Sequence, residues 1–254
     1  MTEFSANLGF LWTELDLPDA IRAAKGAGFS AVEMHWPYET PASEIRTALD
    51  ETGLPLLGIN TVRGNPGENG LSALPGREAE ARAAIDQAIG YARETGARSV
   101  HVMAGFAQGD AAQTTFIENL RYACDAGPEL IMLIEPLNRH DAPGYFLQGS
   151  DQAAEIIAGV GRDNLKLMFD CYHLQIMEGD LTRRLDKHRD IIGHIQFASV
   201  PARAEPDEGE VQYTHLFEHL ARTGYTAPLG AEYKPRGQTE AGLGWMSALS
   251  SAAR

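Results

Sequence analysis

Residues 129–170 hold the stretch that decides the fold. Glu129-Leu130-Ile131-Met132-Leu133-Ile134-Glu135 is an apolar run that ends in a carboxylate. Ser150–Val160 follows with apolar residues at helical spacing, and Ser150 stands where an N-cap is expected. Leu165-Lys166-Leu167-Met168-Phe169-Asp170 is a second short strand, again closed by a carboxylate. Strand, helix and strand in this order predict a parallel pair joined by a helical crossover.

The same unit recurs on both sides. Upstream, strands are predicted over 4–9, 31–34, 54–60 and 99–103, with helices over 18–28, 41–52, 77–95 and 110–125. Downstream, a helix over 180–188, a strand over 191–196, a helix over 214–223, a strand over 228–232 and a helix over 240–253 complete the chain. Gly53, Gly96 and Gly224 stand at helix ends, where a left-handed residue stops the helix. Eight strand–helix units at roughly 30-residue spacing predict one α/β domain over residues 1–254, a TIM (β/α)8 barrel. No GxGxxG follows the first strand and no GxxxxGK[ST] occurs, which opposes an open nucleotide-binding sheet. One long Gly/Pro-rich stretch, 61–76, follows the third strand and is expected to serve function, with Arg77 at its end.

Composition narrows the class. Of 254 residues, 21 are Lys or Arg and 35 Asp or Glu, a formal net charge of −14. That balance opposes an electrostatic grip on a phosphate backbone, so nucleic acid is not an expected partner. A hydrophobic fraction of 44% supports a sizeable core without disulfides or a structural metal. Cys124 and Cys171 form no CxxC pattern, which fits a reducing compartment. Met1-Thr2-Glu3-Phe4 lacks the basic start and apolar run of a signal peptide, and no stretch reaches the roughly 20 apolar residues of a membrane span. The expectation is a cytoplasmic protein with a small-molecule partner and no membrane, its self-association left open.

Working groups of such barrels lie at the C-terminal ends of the strands. Strand four carries His101. Strands five to eight end in Glu135, Asp170, Gln196 and Glu232. Three carboxylates converging on one rim repel one another strongly in a low-dielectric mouth. A divalent cation removes that repulsion, and an all-oxygen set suits a hard ion, Mg²⁺ or Mn²⁺. Acidic residues merely capping strand ends beside solvent is the plainer reading of any one of them. It is a poorer account of four at successive strand ends.

These residues also carry a resemblance. The chain resembles the hydroxypyruvate isomerase family within the xylose-isomerase-like TIM barrels, most of all the branch that includes the 2-oxo-tetronate isomerases. The resemblance rests on Gly70-Leu71-Ser72-Ala73-Leu74-Pro75-Gly76-Arg77-Glu78, His101-Val102-Met103-Ala104-Gly105, the 203–210 segment from Arg203 to Glu210, Glu232-Tyr233-Lys234-Pro235-Arg236-Gly237 and Gly242-Leu243-Gly244-Trp245. It implies metal ligation by Glu135, Asp170, Gln196 and Glu232, and proton transfer by Glu135 and Glu232. Related ketose epimerases carry His where this chain has Gln196. Two departures stand out: a short segment before the fifth strand, 123–130, and the form Glu135-Pro136-Leu137-Asn138.

The activity so implied is an aldose–ketose type isomerisation of a small 2-oxo acid through an enediolate. Hydroxypyruvate would give tartronate semialdehyde, or 2-oxo-tetronate would give 3-oxo-tetronate. Two carboxylates on different strands can flank a flat enediolate and move a proton between adjacent carbons. His173 is read as a hydrogen-bond donor to substrate or an orienter of a carboxylate, with a satisfied buried imidazole as the alternative. His101 has the same reading with less support. Arg203 matches the family's substrate-side arginine and can pair with a carboxylate as a bidentate fork. The 61–76 stretch is expected to cover the mouth, and Trp12, Trp36 and Trp245 to supply apolar walls or core. His35, His140, His188, His215 and His219 show no pattern and are read as surface or packing residues. Three rivals stand beside this reading: a ketose 3-epimerase, an AP endonuclease, and a non-catalytic sugar-acid-binding protein. The endonuclease is opposed by the missing His-rich cluster and the acidity. The binding protein has no need of two glutamates around a cation.

Overall fold

Parallel pairing links every strand into one sheet. A computed structural model describes residues 2–251. The strands are β1 Phe4–Asn7, β2 Ala31–Glu33, β3 Gly58–Asn60, β4 Ser99–His101, β5 Ile131–Ile134, β6 Leu165–Asp170, β7 Ile192–Phe197 and β8 Leu229–Ala231. Their spatial order is β2-β1-β8-β7-β6-β5-β4-β3. The two outer strands meet through a bridge between Val32 and Leu56, with Leu57 N donating to Val32 O at 2.8 Å and Met34 N to Gly58 O at 3.0 Å. The barrel is thereby closed and has no free edge.

Helices cover the outside: α1 Leu17–Gly26, α2 Ala42–Thr52, α3 Glu78–Thr95, α4 Gly109–Ala126, α5 Ser150–Val160, α6 Cys171–Met177, α7 Leu181–His188, α8 Tyr213–Arg222 and α9 Gly244–Ser251. Gly53 and Gly96 end α2 and α3 in the left-handed conformation, at φ 68° and 78°, as their position in the sequence predicts. The buried apolar cluster runs from Phe4 on β1 to Trp245 and Leu249 on α9. Trp12 and Trp245 belong to it, so they are core rather than walls of the mouth. No helix among the described residues is long and apolar enough to cross a membrane.

Several expectations are corrected. The third strand is only Gly58–Asn60, because Pro55 has no N–H to give a ladder and the chain before Gly58 meets β2 at single points. Ser150 is not an N-cap: Gly149 is, and Ser150 opens α5 with its N–H and hydroxyl both donating to the Glu178 carboxylate. The C-terminal helix starts later than expected, after a 3-10 turn at Thr239–Gly242, and positions 252–253 of the predicted helix lie outside the described residues. Helix α6 was not expected. Asp170 nucleates it by accepting from Tyr172 N at 2.8 Å.

Much of the 61–76 stretch is sewn onto the exit of β4. Ala73 N donates to Ala104 O at 2.7 Å and Ser72 N to Met103 O at 3.2 Å. Gly70 (φ 112°) makes this approach possible, since a Cβ there would lie 2.5 Å from Met103 O. The first half of the stretch is more open, with Arg63 stacked 3.8 Å over the Trp36 ring.

Candidate active site

Of the four predicted strand-end groups, Glu135, Asp170 and Glu232 are linked through His173 and Arg203, while Gln196 pairs in register with Asp170 and its side chain bonds Glu33. Glu135 follows β5, Asp170 ends β6, Gln196 lies near the end of β7 and Glu232 follows β8, and all four are buried. A chain of contacts crosses the mouth between them. His173 Nε2 stands 3.8 Å from Glu135 Oε1 and 3.6 Å from Asp170 Oδ2. Arg203 Nη2 stands 3.8 Å from Asp170 Oδ2 and 3.1 Å from Glu232 Oε2. His101 Nδ1 lies 3.6 Å from Glu135 Oε2. The contacts of the two imidazoles are loose ion-pair distances rather than hydrogen bonds.

Local structure explains the placement of His173. The capped start of α6 turns the chain back, so residue 173, three positions after Asp170, faces the same carboxylate. Behind it, Asn138 N donates to His173 Nδ1 at 3.0 Å and Asn138 Nδ2 approaches the same atom at 2.8 Å. A backbone N–H can only donate, so Nδ1 is the acceptor and the proton of the neutral ring sits on Nε2. Burial, with help from the Arg203 charge, pushes His173 down to about 3, and burial pushes His101 down to about 4. Both rings are neutral near pH 7.

The carboxylates divide. Burial and then the charges of Glu232 and Asp170 push Glu135 well above the usual carboxylate range. Burial and then Glu232 push Asp170 up to about 7. Burial also opposes ionisation of Glu232, but the Arg203 charge and the His35 contact outweigh it and bring that group down to about 2. Glu232 Oε1 lies 2.6 Å from His35 Nε2 and accepts from Asn7 Nδ2 at 3.2 Å.

Arg203 is held for its task. It adopts φ 52°, a left-handed conformation that a long side chain rarely takes. Its N donates to Ser199 O at 2.8 Å and its O accepts from Lys234 N at 2.7 Å. The guanidinium lies 4.9 Å from the ring centres of both Phe10 and Tyr172. Its Nε is buried and has no hydrogen-bond partner. The 203–210 segment is pinned to the loop after β8 by buried Glu205, which accepts from Arg236 N at 3.1 Å and pairs with Arg236 Nε at 2.9 Å.

Three acceptor oxygens at this rim are buried without a hydrogen-bond partner: Glu135 Oε1, Asp170 Oδ2 and Gln196 Oε1. Buried acceptors left bare are rare and costly. A hard divalent cation fits this donor set, as it takes oxygen ligands and cancels the like charges. Glu135, Asp170 and His173 lie close enough together to hold an ion. The proton on Nε2 makes His173 a donor there, which leaves the oxygens as the ligating atoms.

The sequence reading missed His35, which is neither surface nor simple packing but a partner of Glu232. It also missed Asn7, Asn138 and Glu33. Asn7 and Glu33 end β1 and β2 and His35 lies two residues past β2, so the strand-end argument applied to strands five to eight reaches them when extended to the first two. His140 and His215 are exposed and His188 is buried in packing, as expected.

A closed parallel barrel with buried oxygen acceptors and an arginine gathered at the C-terminal mouth is a TIM-barrel protein built for small-molecule chemistry. The chain belongs to the xylose isomerase-like TIM barrel family, whose model matches residues 21–249. It is 46% identical to a 2-oxo-tetronate isomerase of Cupriavidus necator, across 97% of this chain and 98% of the relative. It is 40% identical to hydroxypyruvate isomerase of Escherichia coli, across 97% and 98%. A crystal structure described as an AP endonuclease of family 2 from Brucella melitensis superposes with a TM-score of 0.94 at 41% identity, across 98% of this chain and 99% of that one.

Proposed function

We propose that the chain is an isomerase of small 2-oxo acids, acting as one barrel domain on hydroxypyruvate, 2-oxo-tetronate or a close relative. The single observation that carries this is the run of contacts from Glu135 through His173, Asp170 and Arg203 to Glu232, which sets two buried carboxylates in one small polar mouth. Full-length similarity to proteins named as isomerases of such acids supports it.

Glu135, Asp170, Gln196 and Glu232 hold a divalent cation, Mg²⁺ or Mn²⁺, in this reading. When bound, the ion supplies positive charge where negative charge develops on substrate oxygens. Glu135 and Glu232 move the proton: one takes it from the hydroxyl-bearing carbon beside the carbonyl and the other delivers one to the former carbonyl carbon, while the hydroxyl proton passes to the former carbonyl oxygen. The direction of reaction decides which acts first. Arg203 binds the substrate carboxylate through Nε, its buried atom without a partner, while Nη2 stays on Glu232. His173 donates from Nε2 to a substrate oxygen, and His101 lines the pocket beside Glu135. The pinned 70–74 segment keeps the mouth narrow and limits water at the enediolate.

The name of the Brucella structure raises a nucleic-acid alternative. Three histidines stand against carboxylates of this rim, but among the described residues His173 alone joins the group close enough to hold an ion, and the net charge of −14 opposes a phosphate backbone. A cytoplasmic setting belongs to the same reading, supported by two buried cysteines that are free thiols.

The test is solvent exchange. With Mg²⁺ or Mn²⁺ added, hydroxypyruvate and 2-oxo-tetronate in D₂O should take up deuterium at the carbon next to the carbonyl and yield the isomer by NMR. Glu135→Gln and Glu232→Gln should abolish uptake while far-UV circular dichroism is unchanged. Binding of the acids without any exchange would leave a sugar-acid-binding protein instead. Inversion at a ketose carbon would point to an epimerase.

A further inference from the structure

We propose that Glu33, which touches neither carboxylate pair, is a positioning residue that sets which atom of Gln196 meets the cation. The proposal rests on the divalent-ion reading above and adds to it. Glu33 ends β2 and is buried. Its Oε2 accepts from Gln196 Nε2 at 2.8 Å. Its Oε1 accepts from the Ser5 hydroxyl and lies 3.0 Å from His194 Nε2.

An ionised carboxylate only accepts, so the Gln196 atom resting on it is the amide nitrogen. The amide is thereby turned so that Oε1, buried and unpartnered, is the free atom. Gln196 is paired in register with Asp170, whose Oδ2 is equally bare. Gly230 on β8, one of the two strands between β2 and β7, opens the path across the barrel. A Cβ there would lie 2.6 Å from Glu33 Oε1, 2.7 Å from Gln196 Cγ and 2.8 Å from His194 Nε2. A carboxyl group that nothing in the proton transfers requires is thus given room, a hydroxyl and an imidazole in order to hold one amide. Turned the other way, that amide would present two N–H donors to the ion and repel it.

Mn²⁺ titrated calorimetrically into chelator-treated protein tests this without turnover. Glu33→Gln keeps the shape but lets the new amide donate to Gln196 Oε1. Mn²⁺ affinity should fall about 10–100-fold, the range for partners that orient metal ligands. In a Gln196→Leu background, which removes the amide that Glu33 holds, the Glu33→Gln change should lower Mn²⁺ affinity no further. A purely structural role for Glu33 predicts the same further loss in both backgrounds. Wild-type affinity in a folded Glu33→Gln protein overturns the proposal and leaves the ion site standing. No Mn²⁺ binding by the wild type overturns both. If Glu33→Gln does not fold, Glu33→Asp decides: weakened Mn²⁺ binding that disappears as a difference in the Gln196→Leu background supports the proposal, and wild-type affinity in the folded Glu33→Asp protein overturns it.

Discussion

Asn138 gives two N–H donors to one atom, His173 Nδ1, from its backbone at 3.0 Å and from its side chain at 2.8 Å. Asn138 is itself fully buried, and its Oδ1 accepts from His140 N and Asp141 N at 2.9 and 3.0 Å. Those two acceptances fix the amide so that Nδ2 must face the ring. The result is an imidazole with one protonation pattern, its N–H directed between Glu135 and Asp170.

Proton-detected NMR on ¹⁵N-histidine protein should therefore find His173 neutral, with Nδ1 bare and Nε2 protonated. The signal is assigned by its loss in His173→Gln. Asn138→Leu removes the acceptor of two part-buried backbone N–H groups and the donor to His173 Nδ1, at about 1–3 kcal/mol for each group left unpaired. Denaturant melts should show a loss of about 2–4 kcal/mol. Retained stability would mean that the loop after β5 finds other partners.

Arg203 is the group that reaches both Asp170 and Glu232 while lying between Phe10 and Tyr172. Lysine keeps the charge but has neither the fork nor the flat face. Arg203→Lys should raise KM for a carboxylate substrate about 10–100-fold, the equivalent of roughly 1.4–2.8 kcal/mol of lost binding. Its kcat should change less. Steady-state kinetics on hydroxypyruvate or 2-oxo-tetronate read the split. A fall confined to kcat would move Arg203 from binding to the proton transfer itself.

The barrel was legible because short apolar runs such as 131–134 alternate with amphipathic helices, and burial on both faces leaves that signature in one dimension. Glu135, Asp170, Gln196 and Glu232 were legible because a strand end fixes which rim a residue joins. Other partners are set by three-dimensional accidents of that rim. His35 reaches Glu232 across 197 positions, and Glu33 reaches Gln196 across 163. No local period records such pairs. Ser150 shows the converse error: a good N-cap residue stands one position inside its helix because Glu178, from a turn 28 positions on, satisfies its N–H. Tertiary partners override the local preference there.

Gly70 is a place where the backbone admits no side chain. It combines φ 112° with a virtual Cβ 2.5 Å from the Met103 carbonyl oxygen. Alanine there faces both an unfavourable conformation and a clash with backbone that cannot move aside. Gly70→Ala should cost about 2 kcal/mol or more and lower Tm. The matched control is Gly67→Ala, also at positive φ (90°) but with open space around its Cβ, which should cost less. Equal losses at the two positions would show that close approach to β4 contributes nothing.

Asp170 gives the sharpest test of the charge balance, because the metal-free fold holds its proton more tightly than the unfolded chain does. Burial and the Glu232 charge raise it to about 7, against about 4 in an unfolded chain. A raised acid stabilises the fold below the unfolded value, and that contribution is lost as pH rises through the folded one. Between pH of about 4 and about 7, ionisation of Asp170 should therefore cost the metal-free protein stability, at most roughly 4 kcal/mol at about 1.4 kcal/mol per pKa unit. Asp170→Asn removes this cost, and asparagine still caps α6. In chelator, the variant should be more stable than the wild type above pH of about 7, and the gap should close towards pH of about 4. Carboxylates away from the site titrate alike in both proteins, while Glu135 loses a like charge in the variant, so the difference between the two melts reports Asp170 together with its coupling to Glu135. Added Mn²⁺ should reverse the order, since only the wild type keeps the ligand that gains from binding. A variant no more stable than the wild type at high pH would show that Asp170 carries no such charge cost.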